Sequence, residues 1–245
     1  MGVLQGITEF FPISSTAHLV LVPRIFNFSG TANTLAFDVA LHIGTLLALI
    51  AVFWRDWLRI FAEDRRLLLL LAAGSVPAAF FGLLFEQEFA ERFRSPAVIA
   101  GMLALFGAVM LVSERFRGER LIPGLKLPDA MAVGFAQALA LIPGVSRSGV
   151  TISVGLLIGM KREEAARFSF LLSMPVVAGA ALYEGGQIGR GLLAEPGLFF
   201  TGIITSALVG LFAIRYLLKF LERHPVNAFA YYRFALALLI FWWAK

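Results

Sequence analysis

Six stretches of this chain, roughly 34–54, 67–85, 95–113, 168–183, 196–218 and 228–244, are apolar over nearly their whole length. A helix that crosses a bilayer takes about 20 such residues. Lipid offers the backbone no hydrogen-bond partner, so segments inside it must pair their own N–H and C=O groups. Each stretch therefore reads as a transmembrane helix; 168–183 is short and is expected to extend at one end. The balance of the chain agrees. Of 245 residues, 59% are hydrophobic and 15% charged, with a mean hydropathy of +0.83. A soluble domain has about 45–50% apolar and about 25% charged residues. The apolar excess is too large for one buried core and fits a bundle whose outer surface meets lipid.

Two further apolar regions break in the middle. Residues 1–28 are interrupted at 11–16 by F-P-I-S-S-T, and residues 128–160 at 143–149 by P-G-V-S-R-S-G. Each half is too short to cross, and each break combines proline with hydroxyl groups. This is the pattern of re-entrant half-helices that meet near the membrane midplane. The chain opens inside the first of these regions without a basic segment and small-residue cleavage site, so no cleavable signal peptide is expected. Only four residues precede Gln5, so the first half-helix is expected to be short. Residues 1–11 would still reach about 16 Å at ~1.5 Å per residue, half a bilayer core.

Basic residues set the orientation. They gather in four places: Arg55, Arg59, Arg65 and Arg66; Arg115, Arg117, Arg120 and Lys126; Lys161, Arg162 and Arg167; Arg215, Lys219 and Arg223. One topology puts all four on the cytoplasmic side and leaves 86–94, 184–195 and both chain ends outside. The first break then dips in from outside and the second from inside, each followed by three spans. The fold expected is an all-α polytopic membrane protein, one domain over 1–245. It is built of two inverted repeats, 1–113 and 128–245, each a re-entrant hairpin plus three transmembrane helices. A faint echo at an offset of 132 pairs Gln5 with Gln137, Ser14 with Ser146 and Thr16 with Ser148. The formal charge of +5 is accounted for by topology; no basic stripe with interleaved aromatics points to nucleic acid. The absence of cysteine excludes disulfides, thiolate zinc sites and thiol nucleophiles.

Polar groups at membrane depth are costly and are candidates for function. The first break supplies Gln5, Thr8, Glu9, Ser14, Ser15, Thr16 and His18. Gln5 and Glu9, four apart, share a helix face. Ser14 and Thr16 would open the second half-helix, where capping of free N–H groups is the alternative to a binding role. Ser15 and His18 lie three apart on one face, which allows a hydroxyl nucleophile beside its base. Glu9 needs a cation, a water-filled cavity or Arg147. The second break supplies Gly144, Ser146, Arg147, Ser148, Gly149 and Thr151. Glycines permit close backbone approach, the arginine fork matches phosphate oxygens, and a helix N-terminus attracts anions. Together they describe a phosphate cradle; two half-helices from opposite leaflets would aim their positive ends at one diphosphate. Asp38 and His42, four apart, are expected to line the cavity, unless Asp38 lies near the outer interface. Arg233, placed near the inner end of the last span, is expected to snorkel.

These residues carry a resemblance. Q-G-I-T-E-F-F-P-I-S-S-T-A-H at 5–18 and P-G-V-S-R-S-G-V-T at 143–151 resemble the two motifs of the undecaprenyl-pyrophosphate phosphatase family, the bacitracin-resistance type. The likeness runs along nearly the whole chain. It implies removal of the terminal phosphate of undecaprenyl pyrophosphate, which recycles the lipid carrier for cell-wall synthesis and gives bacitracin resistance. It also implies a divalent cation, magnesium or calcium, in the bacterial cytoplasmic membrane with the site open to the outside. Carried over by motif, Glu9, Ser15, His18 and Arg147 are the catalytic set, with Glu9 the metal ligand. Gln5, Ser14, Thr16, Gly144, Ser146, Ser148 and Thr151 are the substrate-binding set. Gln5 stands where many members carry glutamate, which lowers the charge available to a metal. The expected partners are the lipid substrate, the bilayer and a second copy of the chain in a homodimer. An acid-phosphatase reading fails because Ser153 and Leu157 stand where its His and Asp belong. A lipid-phosphate or ion transporter remains the alternative, since the same architecture serves transport.

Overall fold

The computed structural model describes residues 1–27, 30–31 and 34–243, which build eleven α-helices, two single-turn 3-10 helices and no strand. The first broken pair is α1 (Gly2–Thr8) and α2 (Ser15–Ile25). It is followed by α3 (Leu35–Ala62), α4 (Arg65–Arg92) and α5 (Pro96–Ser113). The second pair is α6 (Leu127–Leu139) and α7 (Arg147–Leu157). It is followed by α8 (Arg162–Tyr183), a short α9 (Gly185–Ala194), α10 (Pro196–Arg223) and α11 (Asn227–Trp243). Helices α3, α4, α5, α8 and α10 are long and apolar enough to cross a membrane. Helix α11, with 17 residues, occupies the sixth expected span. The chain is a multi-pass, all-α membrane protein.

Local chemistry sets the helix starts. Thr34 Oγ1 accepts from Phe37 N–H at 3.3 Å, Asp64 Oδ1 from Leu67 N–H at 2.8 Å and Ser95 Oγ from Val98 N–H at 3.3 Å. Pro96 and Pro196 open their helices where no N–H is needed. Helix α8 begins at Arg162, so the short apolar stretch at 168–183 extends toward its N-terminal end. Large apolar side chains such as Leu69, Leu83, Phe212, Leu238 and Trp242 stand exposed along the long helices, where lipid would cover them.

Small residues draw the half-helices onto long ones. A Cβ built on Gly134 of α6 would lie 2.2 Å from Gly74 O of α4. One built on Gly2 of α1 would lie 2.9 Å from Gly202 O of α10. Without a hydrophobic driving force between helices in lipid, such close backbone approach is what holds them. Gly2 and Gly134 are themselves 132 residues apart. Each half's leading half-helix thus docks on the second long helix of the other half, a reciprocity that fits two inverted repeats.

The four basic regions gather at one end. Arg167 pairs with Asp56, and Arg162 with Glu114, whose other oxygen accepts from Val226 N–H at 3.2 Å. Arg120 pairs with Asp129 and, through its main chain, with the 159–161 turn. At the other end the segment 184–195, expected as a loop, folds as α9. Its four glycines mask an apolar face: Ile188 is buried against Phe37 and Phe199, and Gly191 seats the Phe199 ring.

Candidate active site

The two breaks are built alike. After α1 and α6 the chain turns through 9–13 and 140–145, then enters α2 and α7 through Ser14 and Ser146. Both serines hold left-handed backbone, φ 74° and φ 70°, which costs a non-glycine residue about 1–3 kcal/mol and tends to persist at functional sites. Ser14 Oγ accepts from Ala17 N–H at 3.4 Å and Ser146 Oγ from Gly149 N–H at 3.2 Å. Ser14 Oγ also meets Thr16 Oγ1 at 3.1 Å, as Ser146 Oγ meets Ser148 Oγ at 3.3 Å. The faint echo at 132 residues is thus a pair of matching turns. Both serines cap the half-helices they open.

Glu9 is the hub. Its side chain is 5% exposed, and four residues converge on it. Arg147 Nη2 donates to Oε1. Ser15 Oγ donates to Oε2 at 2.6 Å, and Gln5 Nε2 donates to Oε2 at 3.1 Å. His42 Nε2 stands 3.4 Å from Oε2. A short hydroxyl–carboxylate bond marks Glu9 as the group able to take the Ser15 proton. The arginine spends one nitrogen on Glu9, leaving the rest of its fork for another anion. Ser15 and Arg147 hold equivalent places, each the first residue of a half-helix, so both face the positive end of a helix.

A cavity of about 320 Å³ opens beside this hub. Glu9, Ser15, Thr16, Ser146 and Arg147 line it, joined by Asp38, His42, Arg94 and Gln137. Its remaining wall is apolar and includes Leu19, Val20, Val39, Leu141, Val176 and Val177. Asp38 and Arg94 stand 4.0 Å apart at the end opposite the basic regions.

The other expected site residues lie around this cavity without lining it. His18 does not bond Ser15. Its Nδ1 donates to Ser14 O at 2.7 Å, leaving Nε2 to accept from Tyr232 OH at 2.8 Å in the neutral ring. The helical spacing is as expected, but Tyr232 of α11 claims the imidazole and Glu9 claims the hydroxyl. Gln5 does not line the cavity; its Nε2 donates to Glu9. Ser148 Oγ donates to Phe11 O at 3.3 Å, tying one break to the other. Thr151 donates to Arg147 O at 2.7 Å and meets Ser169 of α8 at 2.5 Å. Gly144 is required by its backbone, φ 96°, and by its packing: a Cβ would come within 2.8 Å of Ile99 O.

Arg233 does not snorkel. It is 0% exposed and sits beneath both breaks. Its guanidinium donates to Pro12 O of the first break at 3.4 Å and to Gly144 O and Val145 O of the second at 2.8 and 3.0 Å. It also donates to Leu103 O and Met102 O of α5 at 3.2 and 3.4 Å. One side chain thus ties the two turns to each other and to a long helix. The only signal available in sequence is a basic residue within an apolar span. Gln137 was visible too, as the echo of Gln5, and His42 as the helical neighbour of Asp38.

Residues 1–239 match the family described as Bacitracin resistance protein BacA. The chain belongs to that family. Its relatives include proteins named undecaprenyl-diphosphatase. That of Thermodesulfovibrio yellowstonii is 48% identical over 98% of this chain and 94% of its own length. That of Moorella thermoacetica is 46% identical over 99% and 96%. That of Rubrobacter xylanophilus is 45% identical over 98% and 94%. The similarity thus runs over nearly the whole chain.

Proposed function

We infer that the chain hydrolyses undecaprenyl diphosphate to undecaprenyl phosphate and phosphate, returning the carrier lipid to cell-wall synthesis. The observation that carries this reading is the convergence of Ser15, Arg147 and Glu9 in one cavity, with two half-helix N-termini aimed at it. A diphosphate needs such a cationic cradle. The apolar wall suits the first isoprene units of the tail, and the rest stays in lipid. The relatives' shared name supports the same substrate.

Ser15 Oγ attacks the terminal phosphorus, and the bond to the bridging oxygen breaks with its electron pair on undecaprenyl phosphate. Glu9 takes the Ser15 proton and passes it to that departing phosphate. Water then attacks the phosphoserine; Glu9 takes a proton from it and returns one to Ser15 Oγ as the P–Oγ bond breaks. Arg147, with the N–H groups at the start of α7, holds the phosphoryl oxygens through both steps. His18 and Tyr232 keep the α2 turn in place.

A divalent cation, magnesium or calcium, suits this donor set. Gln5 Oε1 is a buried oxygen with no protein partner, next to the Glu9 carboxylate. Among the described residues no group of three or more acidic or histidine side chains could hold a metal, so Glu9 and Gln5 would be the protein's share of its ligands. Bound by Glu9 and Gln5, the cation would neutralise charge on the diphosphate.

The basic end of the bundle belongs in the bacterial cytoplasm, which turns the cavity mouth at Asp38 and Arg94 to the outside. The test is phosphate release from undecaprenyl diphosphate by the purified protein in detergent. Release supports hydrolysis; a transporter needs a sealed membrane and would be silent, which would overturn the reading.

A further inference from the structure

Gln137 on α6 is a buried amide with nothing to bind. It is 3% exposed, and neither Oε1 nor Nε2 has a protein partner. Buried amides rarely stay unpaired, because each lost partner leaves a desolvated dipole. The repeat explains how this one comes to be free. Gln137 is the counterpart of Gln5, whose amide donates to Glu9 four residues on. Four residues beyond Gln137 stands Leu141, which has nothing to accept with. The amide borders the same cavity as Glu9, Ser15 and Arg147.

What it can hold follows from its two ends. Nε2 donates and Oε1 accepts. An ionised phosphate oxygen answers only the first, and a cation only the second. Water answers both. We propose that Gln137 orients the water that hydrolyses the phosphoserine formed at Ser15. This rests on the phosphatase reading above and goes beyond it by assigning the second step its own residue. In that step the water oxygen bonds to phosphorus and the P–Oγ bond breaks. The electron pair stays on Ser15 Oγ, and one water proton passes through Glu9 to that oxygen. Gln137 exchanges no proton; it accepts a hydrogen bond from the water and donates one to it, which points a lone pair at phosphorus.

Gln137→Leu tests this, because it keeps the volume and removes both polar atoms. Purified wild type and variant are compared in detergent with undecaprenyl diphosphate, with and without methanol as a competing acceptor. In the variant, first-turnover release of undecaprenyl phosphate should keep its wild-type rate while steady-state turnover falls at least about ten-fold. The ratio of methyl phosphate to phosphate should rise several-fold, since methanol fills space that water no longer holds in register. The melting temperature should equal or exceed that of wild type, because two unpaired dipoles have gone. An unchanged ratio, equal slowing of both phases or a marked loss of stability overturns the proposal in favour of substrate binding or a structural role. If Gln137→Leu aggregates, Gln137→Met is read by the same criteria. Failure of wild type itself to release phosphate sinks the phosphatase reading instead, and this proposal with it.

Discussion

Arg147 does two things at once through a planar fork that lysine lacks. Its Nη2 is committed to Glu9 Oε1, and the rest of the guanidinium fork is free for phosphate oxygens. The pair is well buried, with Arg147 17% and Glu9 5% exposed. Removing the cation with Arg147→Ala leaves the Glu9 charge supported by neutral donors and His42. Breaking a buried pair in this way costs about 3–5 kcal/mol of stability, toward the low end here because water reaches the arginine. Arg147→Lys keeps the charge for Glu9 and should stay close to wild-type stability. Its ammonium is a point charge that lacks the planar fork needed to hold phosphoryl oxygens in parallel bonds while staying on Glu9, so turnover should fall on the order of 10²–10³, about 3–4 kcal/mol of transition-state stabilisation. The assay is phosphate release at saturating lipid, with gel filtration and thermal unfolding on the same samples. A folded Arg147→Lys within a few-fold of wild type would refute the phosphate clamp and leave a structural salt bridge.

Three further outcomes are expected. Arg233→Met leaves carbonyls from both breaks and from α5 unpaired, so it should lower unfolding stability by about 3 kcal/mol or more, read as a melting shift in detergent. A chelator should abolish phosphate release and added magnesium or calcium should restore it; Gln5→Glu should be tolerated and lower the metal concentration needed, and metal-independent activity would remove the cation from the scheme. Since the chain has no cysteine, Gly189→Cys on α9 should react with an impermeant thiol reagent from outside cells, and Glu119→Cys only after permeabilisation. The reverse pattern would turn the cavity toward the cytoplasm.

The broken helices could be read from sequence because proline, glycine and clustered hydroxyls interrupt otherwise apolar runs at half the spanning length. The shared end of the basic segments could be read because each is dense in arginine. What could not be read depends on contacts between distant elements. The spacing of Ser15 and His18 allows a hydrogen bond, but Tyr232, 214 residues away, takes the imidazole. Arg233 looked like an interfacial residue when measured along its own helix. Its depth is set by where the two breaks lie, which no local pattern records. Helix α9 was hidden by glycines that its packing on Phe199 requires. In sequence Gln137 shows as an echo and not as a site, since only the fold shows that both ends of its amide are unpaired.

Ser15 receives the phosphoryl group in this mechanism, and Glu9 is its base. The direct test is a single-turnover reaction with undecaprenyl diphosphate labelled in its terminal phosphate, quenched in acid, with the label followed into protein and into free phosphate. Wild type should carry label on Ser15 before releasing it. Glu9→Gln should slow the labelling at least about 10²-fold, and Ser15→Ala should show neither label nor turnover. Free phosphate released by a folded Ser15→Ala protein at the wild-type rate would contradict the account and leave direct attack by water in its place.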